Sequence, residues 1–82
     1  MNYGAKYNSP CDNAEEYFSR GNFKKLLGDY GSAILDYNKA IELESSFSEA
    51  YYQRGIAKSL INDEDGAVYD FNKAIDLILK IA

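Results

Sequence analysis

Sliding the 82-residue chain against itself by 34 positions brings its two halves into register. Identities fall at Glu15/Glu49, Tyr17/Tyr51, Arg20/Arg54, Gly21/Gly55, Lys24/Lys58, Leu26/Leu60 and Asp29/Asp63. They continue at Ala33/Ala67, Asp36/Asp70, Asn38/Asn72, Lys39/Lys73, Ala40/Ala74, Ile41/Ile75 and Leu43/Leu77. Phe18/Tyr52, Ile34/Val68 and Tyr37/Phe71 are near matches. Self-similarity at one fixed period marks a unit used twice, each copy burying apolar surface against the other. A period of 34 residues belongs to a helix–turn–helix unit.

Each unit reads as two helices. The expected architecture is all-α: four helices near residues 13–27, 30–44, 47–61 and 64–80, packed antiparallel in chain order. Asp12 with Glu15, and Ser46 with Glu49, have the spacing of a capping box at the start of each first helix. Gly28 and Asn62 can take the left-handed conformation that ends a helix. Asp29 and Asp63 can then cap the second helices. Those second helices carry apolar residues at helical spacing, at Ala33, Ile34, Tyr37, Ala40 and Ile41, then Ala67, Val68, Phe71, Ala74 and Ile75. Residues 1–12 carry no period and are expected to be a flexible tail, before repeat 1 at 13–46 and repeat 2 at 47–82.

Composition narrows the function classes. Nine Lys and Arg against thirteen Asp and Glu leave the chain acidic. That balance argues against nucleic acid, whose binding is driven by cationic side chains that release counterions. It offers nothing to an anionic membrane surface either. No apolar run approaches the roughly 20 residues of a spanning helix, and the start lacks the pattern of a signal peptide, which favours the cytoplasm. With no histidine and one cysteine, Cys11, neither a structural zinc site nor an internal disulfide is expected. There is no phosphate-cradling glycine loop and no nucleophile elbow, so no catalytic residue and no cofactor is expected. The run Asp63-Glu64-Asp65 is read as helix capping rather than as a cation site.

The repeated residues resemble the tetratricopeptide repeat. Tyr17, Gly21, Gly28-Asp29-Tyr30, Ala33, Tyr37 and Ala40 look like its pattern, as do Tyr51, Gly55, Ala67, Phe71 and Ala74. The resemblance covers residues 13–82 and implies an α-solenoid fragment in which small residues let the two helices of a repeat approach. Three features depart from the pattern. Ser45 and Leu79 stand where a proline is usual. Arg20, Lys24, Arg54 and Lys58 stand where apolar residues are common, and are expected to lay their stems on the core and turn their charges to water. Two repeats occur where three or more, closed by a polar-faced helix, are usual.

What the resemblance implies is a non-catalytic module that binds a protein or peptide in a concave groove lined by the first helices. The groove residues so implied are Glu15, Phe18, Asn22, Lys25 and Leu26 from repeat 1, and Glu49, Tyr52, Ile56, Ser59 and Leu60 from repeat 2. Their spacing traces one face of each helix. Asn22 matches the asparagine with which some members hold a C-terminal carboxylate, although Phe18 stands where those members have a lysine. A second expectation comes from the last helix, whose stripe Phe71, Ala74, Ile75, Ile78, Leu79 and Ala82 runs past the point where repeat 1 turns at Glu44-Ser45. Burying Ile75, Ile78 and Leu79 would contribute about 1.5–3 kcal/mol each. Homodimerisation through Phe71, Ile75, Ile78 and Leu79 about a two-fold axis would achieve this. A purely structural assembly unit, or a piece of a longer array whose next repeat covers these residues, are the alternatives.

Overall fold

The computed structural model of the chain describes residues 3–81. Residues 1–2 of the expected tail, and Ala82 of the apolar stripe, lie outside the described residues. Five helices follow one another: α1 Tyr3–Tyr7, α2 Ala14–Leu26, α3 Tyr30–Leu43, α4 Ser48–Leu60 and α5 Glu64–Ile81. Helices α2 and α3 form repeat 1, α4 and α5 form repeat 2, and α3 packs on α4 to join them. The four long helices start and stop within two residues of their expected bounds. Among the described residues there is no strand.

Local chemistry sets the boundaries. Gly28 follows the end of α2 with φ +83°, and Asn62 follows the end of α4 with φ 67°. Asp29 and Asp63 then cap α3 and α5, accepting from the backbone N–H of Ser32 at 3.4 Å and of Gly66 at 3.0 Å. The start of α2 differs from expectation by one residue. Asn13, not Asp12, is the N-cap, and its Oδ1 accepts from the N–H of Glu16 at 2.9 Å. Glu16, rather than Glu15, reaches back to the N–H of Asp12 at 3.0 Å. Helix α4 has no side-chain cap at all; its N-cap is Phe47, which is buried. There Ser46 yields its expected role because Phe47 is drawn into the core.

The core forms where the two repeats meet. Phe18, Ala33, Tyr37, Ala40, Phe47, Ala50 and Ala57 make one buried cluster, with Ala14, Tyr17, Tyr30, Ile34 and Ile41 packed around it. The helices of a repeat approach closely because glycine sits under an aromatic ring. A Cβ on Gly21 would lie 2.8 Å from Cε1 of Tyr37, and one on Gly55 would lie 2.8 Å from Cε1 of Phe71. Those contacts are too short for any side chain to be accommodated without movement of a packed ring.

The repeated cations do not turn to water. Asp36 is buried, and Arg20 grips it through Nε–Oδ2 at 2.9 Å and Nη2–Oδ1 at 2.7 Å, while Lys24 Nζ stands 3.2 Å from Oδ2. Repeat 2 reproduces the arrangement at Asp70, with Arg54 at 2.9 and 2.6 Å and Lys58 at 3.2 Å. The expectation for these four residues is therefore reversed. A carboxylate inside each helical pair attracts them, and its bidentate hydrogen bonds offset the desolvation of all three charges. Each guanidinium also lies over a tyrosine ring, Arg20 on Tyr17 at 5.5 Å and Arg54 on Tyr51 at 5.2 Å.

Candidate interaction surfaces

Three surfaces can be compared: the concave face of α2 and α4, the N-terminal end of the stack and its C-terminal end. On the concave face the expected residues divide. Glu15, Leu26, Glu49, Tyr52, Ser59 and Leu60 are exposed, whereas Asn22, Lys25 and Ile56 are half-buried. Phe18 is not part of an open groove. It is 9% exposed, its ring 4.8 Å from that of Phe47 and 6.0 Å from that of Tyr37. Its apolar ring goes to the junction between repeats, where more surface is removed from water than the groove could provide. The two polar groups beside it are engaged within the chain. Tyr37 donates its hydroxyl to Asn22 Oδ1 at 2.5 Å, and Lys25 donates to Gln53 Oε1 across the two helices. Burial lowers the pKa of Lys25 below the ordinary lysine value.

The N-terminal end is covered. Helix α1 and the segment after it run back along α2, where the sequence shows no period. Lys6 Nζ lies 5.0 Å from the centre of the Phe23 ring, and Lys24 Nζ lies 4.4 Å from that of Tyr7. Tyr7 donates its hydroxyl to Asp29 Oδ2, which raises the pKa of that phenol. Arg20 Nη1 donates to the carbonyl of Ser9 at 2.7 Å. In repeat 2 the same nitrogen of Arg54 donates to Asn38 Oδ1 on α3, at 2.9 Å. For this one bond Ser9 stands to Arg20 as Asn38 of α3 stands to Arg54. Cys11 is half-buried, and desolvation raises its thiol pKa.

The C-terminal end is open. A cleft of about 440 Å³ lies between α4 and α5, lined by Ser48, Glu49, Tyr52, Gln53, Phe71, Ala74, Ile75 and Ile78. Tyr52 is 51% exposed, Ile75 53% and Ile78 57%, with Leu79 beyond the cleft at 65%. Tyr52 leans on Phe71, ring centres 5.7 Å apart. Set back by 34 residues, Tyr52, Phe71, Ala74 and Ile75 are Phe18, Tyr37, Ala40 and Ile41. In repeat 1 Phe18, Tyr37 and Ala40 belong to the buried cluster together with Phe47 and Ala50 of the next repeat, and Ile41 is half-buried beside it. Tyr52 and Ile75 are thus more exposed than their counterparts Phe18 and Ile41, while Ala74 stays buried like Ala40.

A family model described as the TPR repeat matches residues 14–59, more than half of the chain. The chain belongs to the tetratricopeptide-repeat family. No curated protein matches it. TPR repeats are protein–protein interaction modules, and in this TPR pair the matched span takes in α2, α3 and most of α4.

The TPR pair's expected site residues fall in different places. Of the expected groove set, Tyr52 and Glu49 fall in the C-terminal cleft rather than on the concave face alone, and Phe18 falls in the core. Of the expected self-association set, Phe71, Ile75 and Ile78 come together in that cleft and Leu79 stands on the adjacent surface of α5. Ala74, Ser48 and Gln53 line the cleft without having been singled out as binding residues. A signal was present for Ala74, because it repeats Ala40, which is fully buried in repeat 1. No helix among the described residues is long and apolar enough to cross a membrane.

Proposed function

We propose that the chain is a non-catalytic protein-binding module whose docking surface is the open C-terminal end of its two-repeat stack. One observation carries this reading: Tyr52, Phe71 and Ala74 in the cleft at that end are the counterparts of Phe18, Tyr37 and Ala40, which repeat 1 buries in the core. A surface so shaped gains free energy when another apolar surface excludes water from it, at about 25 cal/mol per Å² removed. The concave face has less support, since Phe18 is buried and Asn22 and Lys25 already have partners.

Self-association through the same end is the second reading, favoured by Leu79. Its side chain lies outside the cleft yet continues the row of Phe71, Ile75 and Ile78 along α5, giving a stripe that a second α5 could cover. Light scattering over a concentration series tests the apolar character of this end in solution. The mass should rise from monomer towards dimer as concentration increases, and Ile78→Asp with Leu79→Asp should hold it at monomer. A wild-type mass that stays monomeric up to the millimolar range contradicts self-association through α5.

A further inference from the structure

The chain contains its own example of what sits on such a surface. In repeat 1 the face made by Phe18, Tyr37 and Ala40 receives α4, which enters with Phe47 at its N-cap and brings Ala50 and Ala57 into the same buried cluster. The three positions follow a simple rule: one large apolar residue, alanine three residues on, and alanine again seven further. The phenyl ring meets Phe18 at 4.8 Å, and both alanines are fully buried. Small residues are needed there because Ala33 and Ala40 on the receiving repeat are also fully buried, so the helices meet with little side chain between them.

No helix among the described residues presents this set free. On α2 the corresponding positions are Asn13, Glu16 and Phe23. Asn13 and Glu16 are tied into the cap of α2, and Phe23 lies beneath Lys6. A second copy offering α2 head-to-tail would place the Glu16 carboxylate against the apolar wall at Ala74, where it would be desolvated without a cation. The matching set on α4 is already buried within its own chain. A second copy therefore supplies no such helix, and the set has to come from outside the described residues.

We infer that the open end takes, from a partner protein, an amphipathic helix of the α4 type, with a large apolar residue at its N-cap and alanines three and ten positions later. This rests on the docking role given to that end above. Ile78 stands where repeat 1 has Glu44, so the site is more apolar than its template and favours an apolar residue near the entry of the partner helix.

A labelled synthetic peptide with the sequence of residues 46–61 serves as the probe, titrated with the full chain and followed by fluorescence anisotropy. Saturable one-to-one binding is expected. A peptide carrying Ala50→Glu should bind at least about tenfold more weakly. The chain variant Ile75→Asp should lose affinity similarly while keeping its helical circular dichroism, since Ile75 is exposed in the free chain. Amide shifts should move at Tyr52, Ala74 and Ile75. Absence of saturable binding, equal binding of the Ala50→Glu peptide, or shifts centred on Phe18 and Ala40 (displacement of α4 from repeat 1) would each overturn the inference. Should the peptide fail while the chain still dimerises through Ile78 and Leu79, this inference falls and the docking role of the end survives. Failure of both removes both.

Discussion

At the residue scale the most consequential groups are two buried aspartates. Asp70 is fully buried and satisfied by three bonds to Arg54 and Lys58. Removing the carboxylate leaves two cations without it in a mostly buried site, and breaking such a pair costs about 3–5 kcal/mol. Asp70→Ala should therefore lose that amount in chemical denaturation, whereas Lys39→Ala, which breaks only an exposed pair with Glu42, should lose under about 0.5 kcal/mol. Replacing Asp70, Arg54 and Lys58 together by Leu, Met and Met should recover most of the loss, because the desolvation of the ions disappears with their attraction. This network was legible only in part. The sequence repeats Arg, Lys and Asp at the same spacing, but the pattern by itself does not say whether a long cation turns outward or inward. The choice is decided by a carboxylate sixteen residues away that only the folded hairpin brings beside it.

Tyr37 adds a pH dependence. Burial first, and then the neighbouring Asp36 charge, raise its pKa well above the ordinary tyrosine value. The folded state therefore holds this proton more tightly than the unfolded state. Its contribution is fully present below about pH 10, the unfolded value, and is lost as pH rises beyond it. Across that range the residue accounts for up to about 1.4 kcal/mol of lost stability per pH unit, one proton's worth. Melting temperatures measured between pH 8 and pH 12 should fall less steeply for Tyr37→Phe than for the wild type. Repeat 2 carries phenylalanine at the same position, so the ring itself is tolerated. Parallel pH profiles for the two proteins would show that the buried phenol does not titrate with unfolding.

At the scale of elements, glycines separate packing from backbone conformation. Gly21→Ala should destabilise, because the new Cβ meets the Tyr37 ring at 2.8 Å, and overpacking of this kind costs about 1–3 kcal/mol. Gly31, near the start of α3, has nothing within 4 Å of such an atom. Gly31→Ala should stabilise by about 0.4–1 kcal/mol through the lost freedom of the unfolded chain. Calorimetry on the two single variants checks the contrast, and equal effects would refute the close approach of α2 and α3. The helices themselves were readable from the 34-residue period and from Gly28, Asn62, Asp29 and Asp63. The starts of α2 and α4 were not, since several neighbouring polar residues can cap a helix and tertiary packing chooses among them. At α4 the burial of Phe47 decided the matter. Helix α1 carries no periodic signal, and what holds it is Lys6 on Phe23 and Tyr7 on Lys24 of α2, with the Tyr7 hydroxyl on Asp29 at the start of α3.

At the scale of the molecule, the two ends of the stack are unequal. One is covered by α1 and the segment after it, and the other exposes Tyr52, Ile75 and Ile78 over a cleft. The self-association stripe was visible in the sequence because α5 continues where repeat 1 turns. The cleft was not, because the groove residues and the stripe residues were assigned to separate faces, and only the packing of α4 on α5 brings Tyr52 beside Ile75. The measurement that tests the docking role of this end most directly is a map of amide chemical shifts of the full chain in two series, one raising its own concentration and one raising that of the peptide of residues 46–61. Shifts concentrated at Tyr52, Phe71, Ala74, Ile75, Ile78 and Leu79, with repeat 1 silent, are the expected result. Shifts centred instead on Asn22, Lys25 and Ile56 of the concave face, or none at any concentration, would contradict it.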